Sequence, residues 1–171
     1  DGMRVPSSAS MPEGQFLSWQ PGTVYSDKTD TIPWLLEPGS DLVIQVHMNP
    51  SGKPEPFECS VGLYFSDEPP VATPYKIKLT SLAIDIPPNE QKFEVKDESV
   101  LPGDVEVTRV LPHAHYLCRR MEGYAILPDG SKKWLLLIKN WDFNWQGDYQ
   151  YQNSVFLPKG TKITMNYTFD N

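Results

Sequence analysis

The sequence indicates an all-β protein of antiparallel, jelly-roll-like β-sandwich architecture. The 171 residues include 17 Pro and 11 Gly, so a residue that interrupts helices occurs about every six positions. Short apolar and β-branched segments recur between Pro, Gly and Asp residues, which is typical of strands joined by turns. The Leu-Pro-Asp-Gly sequence at 127–130 has Pro and Gly where a hairpin turn favours them. An all-helical fold is excluded.

Nine segments are predicted to be strands: residues 42–48, 59–65, 75–86, 91–96, 105–111, 121–127, 133–140, 153–157 and 161–169. We expect the first two to pair as an antiparallel hairpin with a long loop, and the other seven to form an antiparallel sandwich. Residues 67–74 contain three Pro and two acidic residues, which indicates a stiff, solvated linker. The sequence therefore predicts two parts, residues 1–70 and 71–171.

Charge and hydropathy limit the possible partners. With 15 Lys and Arg against 22 Asp and Glu, the formal charge is −7, and no basic stripe offsets it. This balance argues against nucleic acid as a partner, because phosphate backbones bind positively charged surfaces. The unbroken apolar runs are far shorter than the ~20 residues of a membrane-spanning helix. We therefore expect neither a nucleic-acid partner nor a transmembrane segment.

The chain contains three histidines, and two of them, His113 and His115, are separated by a single residue. Pro112 disfavours helix immediately before them, so we expect extended backbone, in which residues two apart project to the same side. Two adjacent imidazoles form half of a metal site that suits copper, zinc, iron or nickel. The alternative is a pair of surface histidines near a strand end. His47, taken alone, is more typical of a core or rim residue than of a ligand.

Residues 141–146 alternate aromatic and polar side chains. On a strand, this pattern places three rings on one face, where they would form part of a core or, if exposed, stack on sugar rings. The second possibility is a carbohydrate-binding module that uses Trp141, Phe143, Trp145 and Tyr149.

The two cysteines, Cys59 and Cys118, lie in apolar surroundings. They would form a disulfide in an exported protein or otherwise remain two buried thiols. Sequence signatures of serine hydrolases, phosphate-binding loops and His-Glu-x-x-His metalloproteases are absent.

Several segments of the chain resemble one enzyme family. His113-Ala114-His115-Tyr116-Leu117, followed by Gly123-Tyr124, resembles the start of one copper site in the copper type II, ascorbate-dependent monooxygenases, the family of peptidylglycine α-hydroxylating monooxygenase and dopamine β-monooxygenase. Residues 46–53 and 61–65 resemble the region of that family that carries the last histidine of its other copper site. Residues 18–22 are similar to its Trp-x-Pro-Gly stretch, and residues 127–146 look most like bacterial members.

The resemblance implies a periplasmic or secreted copper enzyme that uses ascorbate and O2 to hydroxylate an activated C–H bond of a small-molecule or peptide substrate. By this resemblance, His113 and His115 would bind the copper that activates oxygen, and His47 would belong to the copper that supplies an electron.

Three of the family's six copper ligands, a His-His pair and a Met, have no counterpart in the chain. We therefore expect either a segment of a longer protein or a reduced relative, with weak or no turnover alone. The alternatives are a non-catalytic sandwich that binds carbohydrate or a partner protein, and a domain that holds copper structurally.

Overall fold

The computed structural model describes residues 18–19, 33–46, 48, 50–69, 72, 74–81 and 84–171. The chain divides into two units, one of which is Asp27–Lys76 and the other of which contains Ile77–Asn171. The second unit carries six strands: β1 (Phe93–Val100), β2 (Val105–Val110), β3 (Cys118–Ile126), β4 (Lys132–Ile138), β5 (Tyr149–Leu157) and β6 (Lys162–Phe169). The described residues contain no helix, and hence none that is long and apolar enough to cross a membrane. The all-β prediction is confirmed.

The strands form two antiparallel sheets. The larger has the order β1-β6-β3-β4, and the smaller is the β2-β5 pair. Leu157 of β5 packs in one buried cluster with Ala125 of β3 and Ile163 of β6, so side chains of both sheets meet in a shared core. A second cluster contains Met121 of β3 and Tyr167 of β6. The sheets therefore bury apolar side chains against each other, as in a sandwich.

The six strands of the second unit begin and end within four residues of their predicted bounds. The strand predicted at residues 75–86 is wrong. Its described residues, 75–81 and 84–86, form no strand. Ile77 and Leu79 still pack against the core. The backbone N–H of Thr80 donates to Asp97 Oδ2 at 2.7 Å, so a side chain of the neighbouring strand takes the place of a ladder carbonyl.

The hairpin predicted in the first unit is wrong. The described residues 42–46, 48 and 59–65 form no strand, although their sequences are rich in β-branched and aromatic residues. Val43 is 77% exposed and Phe65 is 82% exposed. An isolated two-stranded hairpin is marginal in water unless a further strand or a packed core covers one face. Local β-propensity alone therefore produces no sheet here.

Candidate metal-binding site

Two connections between the sheets meet at one end of the sandwich. Residues 111–117 lead from β2 to β3, and residues 139–148 lead from β4 back to β5. Because β2 pairs with β5 and β3 pairs with β4, both antiparallel, the two connections start and finish at neighbouring strand ends. An ion pair between Arg109 Nη1 and Asp148 Oδ2, 2.7 Å apart, joins β2 to the second connection.

Residues 113–115 form no strand, but their exposure alternates along the backbone. His113 is exposed, Ala114 is buried in the core, and His115 is half-buried, so the two imidazoles share one side of the backbone. Their ring centroids are 5.2 Å apart and the ring planes are nearly perpendicular, at 87°. The Cys118 N–H donates to the His115 carbonyl at 3.1 Å and closes a turn directly after the pair. The predicted adjacency of the rings is confirmed.

The segment 141–146 is not a strand. The Trp141 N–H donates to the Arg119 carbonyl at 2.8 Å, which ties the start of the connection to β3. Asp142 then organises a turn, because its Oδ1 accepts the Asn144 N–H at 2.9 Å and its carbonyl accepts the Trp145 N–H at 3.0 Å. The turn sends the aromatic side chains in different directions.

The prediction that Trp141 belongs to an exposed, carbohydrate-binding face is wrong. Trp141 is 8% exposed and belongs to the core, whereas Trp145 is 63% exposed. The ring of Phe143 lies 4.2 Å from Tyr116 and 5.9 Å from His115, measured between ring centroids. The four rings therefore form no common stacking face.

Gln146 joins the turn to the first histidine. Its Nε2 donates to the Phe143 carbonyl at 2.9 Å, and its Oε1 lies 2.6 Å from His113 Nδ1. A carbonyl oxygen only accepts hydrogen bonds, so Nε2 must face Phe143 and Oε1 must face the imidazole. His113 Nδ1 is then the donor, and in the neutral ring Nε2 carries the lone pair. That nitrogen is the one suited to a metal.

His115 occupies a more apolar position than His113. Partial burial lowers the pKa of His115 below its usual value, and the positive charge of His113, when protonated, lowers it further. Metal ions bind the neutral imidazole, so this environment favours the form that can act as a ligand.

Two core residues, Tyr167 and Cys118, belong to the same buried cluster as Ala114, the residue between the two histidines. Burial raises the pKa of Tyr167 to about 12. Burial also raises the pKa of the Cys118 thiol, to about 11, and Cys118 is fully buried. Cys118 is therefore a packing residue with no nucleophilic character.

The two cysteines are free thiols. Cys118 is a buried thiol, as one of the two predicted alternatives requires, but Cys59 is exposed, so the prediction of two buried thiols is wrong for Cys59.

The site offers two metal-ligating side chains, those of His113 and His115. The described residues contain no group of three or more His, Cys, Asp or Glu side chains that could hold a metal ion. His47 lies outside the described residues, so its role as a ligand of a second copper stays a prediction.

Comparisons with known proteins identify no relative. No protein-family model, no curated protein and no solved structure matches the chain. The copper monooxygenase resemblance therefore rests on the motif residues given above.

The sequence did not indicate the pairing of Gln146 with His113. The two residues are 33 positions apart, and no short motif links them. Only the strand order of the structure brings the β2–β3 and β4–β5 connections together.

Proposed function

We propose that the chain is a copper-dependent, ascorbate- and O2-using monooxygenase-like protein in which His113 and His115 bind one copper ion. The observation that carries the proposal is the adjacent pair of imidazoles, 5.2 Å between ring centroids, with Nδ1 of His113 2.6 Å from Gln146 Oε1. Imidazole binds several transition metals, and copper(II) stands highest in the general affinity order. The family resemblance at residues 113–117 and 123–124 favours copper over the other metals that imidazole binds.

The residues of the chain fit one half of such a site. Gln146 contacts His113, and partial burial beside Phe143 lowers the pKa of His115. The bound copper would supply one-electron chemistry and oxygen activation, with ascorbate as the reductant. His47 is proposed as a ligand of the second copper, which would provide an electron.

Two imidazoles hold a metal less tightly than three or four protein ligands. We therefore expect weak copper binding by the chain alone and turnover that is slow or absent. The substrate proposed is a small molecule or peptide with an activated C–H bond, and the proposed location is the periplasm or the extracellular space.

Copper(II) titration followed by electron paramagnetic resonance tests the metal site. At one equivalent we expect a signal with nitrogen hyperfine structure from imidazole, which the double variant His113→Ala/His115→Ala loses. The variant His47→Ala is the matched control and should retain this signal. A spectrum without nitrogen coupling, or one unchanged in the double variant, contradicts the proposed site.

Oxygen consumption separates a monooxygenase from a domain that only holds copper. With ascorbate and copper, after unbound copper has been removed, we expect the wild-type chain to consume oxygen slowly, but faster than the double variant treated in the same way. Equal rates in the two proteins, together with a normal copper signal in the wild type, would favour a copper-holding domain.

A further inference from the structure

The connection between β4 and β5 holds the ring of His113 through one side chain. We infer that Gln146 is a positioning residue that fixes His113 in the tautomer with a proton on Nδ1 and so assigns Nε2 as its metal-binding nitrogen. The metal part of this inference rests on the proposed function, whereas the tautomer is a property of the metal-free protein.

The amide of Gln146 has only one orientation that satisfies both of its partners. If the amide were flipped, its carbonyl oxygen would face the Phe143 carbonyl, and two acceptors would lie 2.9 Å apart without a proton between them. The observed orientation leaves Oε1 as an acceptor 2.6 Å from His113 Nδ1. An acceptor at that position requires a proton on Nδ1.

The acceptor is held by the backbone of the connection and not by the side chain alone. The turn at Asp142 sets the position of the Phe143 carbonyl, through hydrogen bonds to Asn144 and Trp145. Trp141 anchors the start of that turn, because its ring is in the core and its backbone N–H donates to the Arg119 carbonyl. Strand β3 is thus connected to His113 by a short series of hydrogen bonds.

The histidine is held from its own side as well. Ala114 is buried next to it, in the core cluster that also contains Tyr167 of β6. The ring and its acceptor are therefore positioned by different strands of the same core, which is the arrangement by which outer groups orient metal ligands. Loss of such an outer partner commonly weakens metal binding 10- to 100-fold. Because His113 is exposed and water can replace the amide, we expect about tenfold here.

Nitrogen NMR of the metal-free, 15N-labelled full chain tests the tautomer directly. At about pH 8.5, above the ordinary histidine pKa of about 6.5, long-range 1H–15N correlations distinguish a protonated ring nitrogen from an unprotonated one. We expect wild-type His113 to show a protonated Nδ1. Gln146→Met, which preserves the side-chain length but removes the acceptor, should give a mixture of tautomers, whereas Gln146→Glu should keep the proton on Nδ1.

Gln152→Met is the matched control, because Gln152 is exposed on β5; it should leave the wild-type pattern unchanged. A proton on Nε2 in the wild type, or a His113 pattern that Gln146→Met does not alter, would overturn the inference. The wild-type measurement decides the question even if Gln146→Met does not fold.

Copper affinity, measured by competition with a chromophoric chelator, tests the metal part. We expect the Kd of Gln146→Met to rise about tenfold, with the Kd values of Gln146→Glu and Gln152→Met close to that of the wild type. Equal affinities in wild type and Gln146→Met would overturn the positioning role. Failure of the wild type itself to bind copper would overturn the proposed function, while a protonated Nδ1 would still establish the Gln146 bond.

Discussion

The two histidines of the pair differ in their surroundings although one residue separates them. His113 reaches solvent and has a defined hydrogen-bond partner in Gln146. His115 is half-buried, and its ring is nearly perpendicular to the rings of both His113 and Phe143. Burial disfavours the charged imidazolium, and a second imidazolium nearby disfavours it further. The pKa of His115 therefore lies below its usual value.

We expect His115 to titrate below pH 6.5, the value from which its pKa is lowered. Proton–carbon NMR of the ring signals across pH 4–9 measures this midpoint. His113→Ala removes the repulsion, the smaller cause, and should shift the midpoint upward while leaving it below 6.5. A His115 midpoint at or above 6.5 contradicts the prediction.

The same shift affects stability. The unfolded chain binds a proton at His115 more readily than the folded protein does, so the free energy of unfolding should fall as the pH drops through 6.5 towards the folded pKa. His115→Ala should reduce this dependence.

At the scale of the strands, the burial of a side chain depends on which face of its sheet it occupies. Leu157 of β5 is fully buried between the sheets, whereas Leu137 of β4 is 43% exposed. Both are leucines in antiparallel strands, so the difference comes from which face of the sheet each side chain occupies. The contribution of a leucine to stability should follow this placement and not the residue type.

Leu157→Ala should lower the free energy of unfolding by about 2–5 kcal/mol, because it removes buried methyl groups and leaves a cavity. The matched variant Leu137→Ala should cost less than about 1 kcal/mol, since water already contacts that side chain. Urea unfolding followed by circular dichroism measures both values. Similar losses in the two variants would show that the sheets do not pack as described.

At the scale of the whole chain, the two units differ in the burial of their apolar side chains. The six strands of the second unit enclose two buried clusters. In the described part of Asp27–Lys76, by contrast, Ile44 is 49% exposed and Phe57 is 54% exposed. Backbone without a strand ladder or buried side chains opens at low free energy and is accessible to proteases.

Limited digestion of the full chain with chymotrypsin should cut within residues 33–69 before it cuts within residues 93–171. Phe57, Tyr64 and Phe65 provide exposed cleavage sites. Mass spectrometry of the early products identifies the order. First cuts inside β1–β6 would contradict the expectation, and Leu157→Ala should make those strands more sensitive to the protease.

The sequence alone was sufficient for the all-β character, for six strand segments and for the adjacency of His113 and His115. These features depend on local chemistry. Proline excludes helix, glycine and proline favour turns, and residues two apart in extended backbone lie on one side. The histidine pair is separated by a single residue, so its geometry follows from backbone conformation at three positions.

The tertiary structure decided the features that depend on distant partners. Residues 42–46 and 59–65 have strand-like sequences but form no strand, because a strand requires a neighbour and a buried face. Trp141 and Trp145 share one alternating segment, yet the turn at Asp142 buries the first and exposes the second. Gln146 reaches His113 across 33 residues because two connections between the sheets lie side by side. The tautomer of a histidine depends on its hydrogen-bond partner, and here that partner was determined by the strand order.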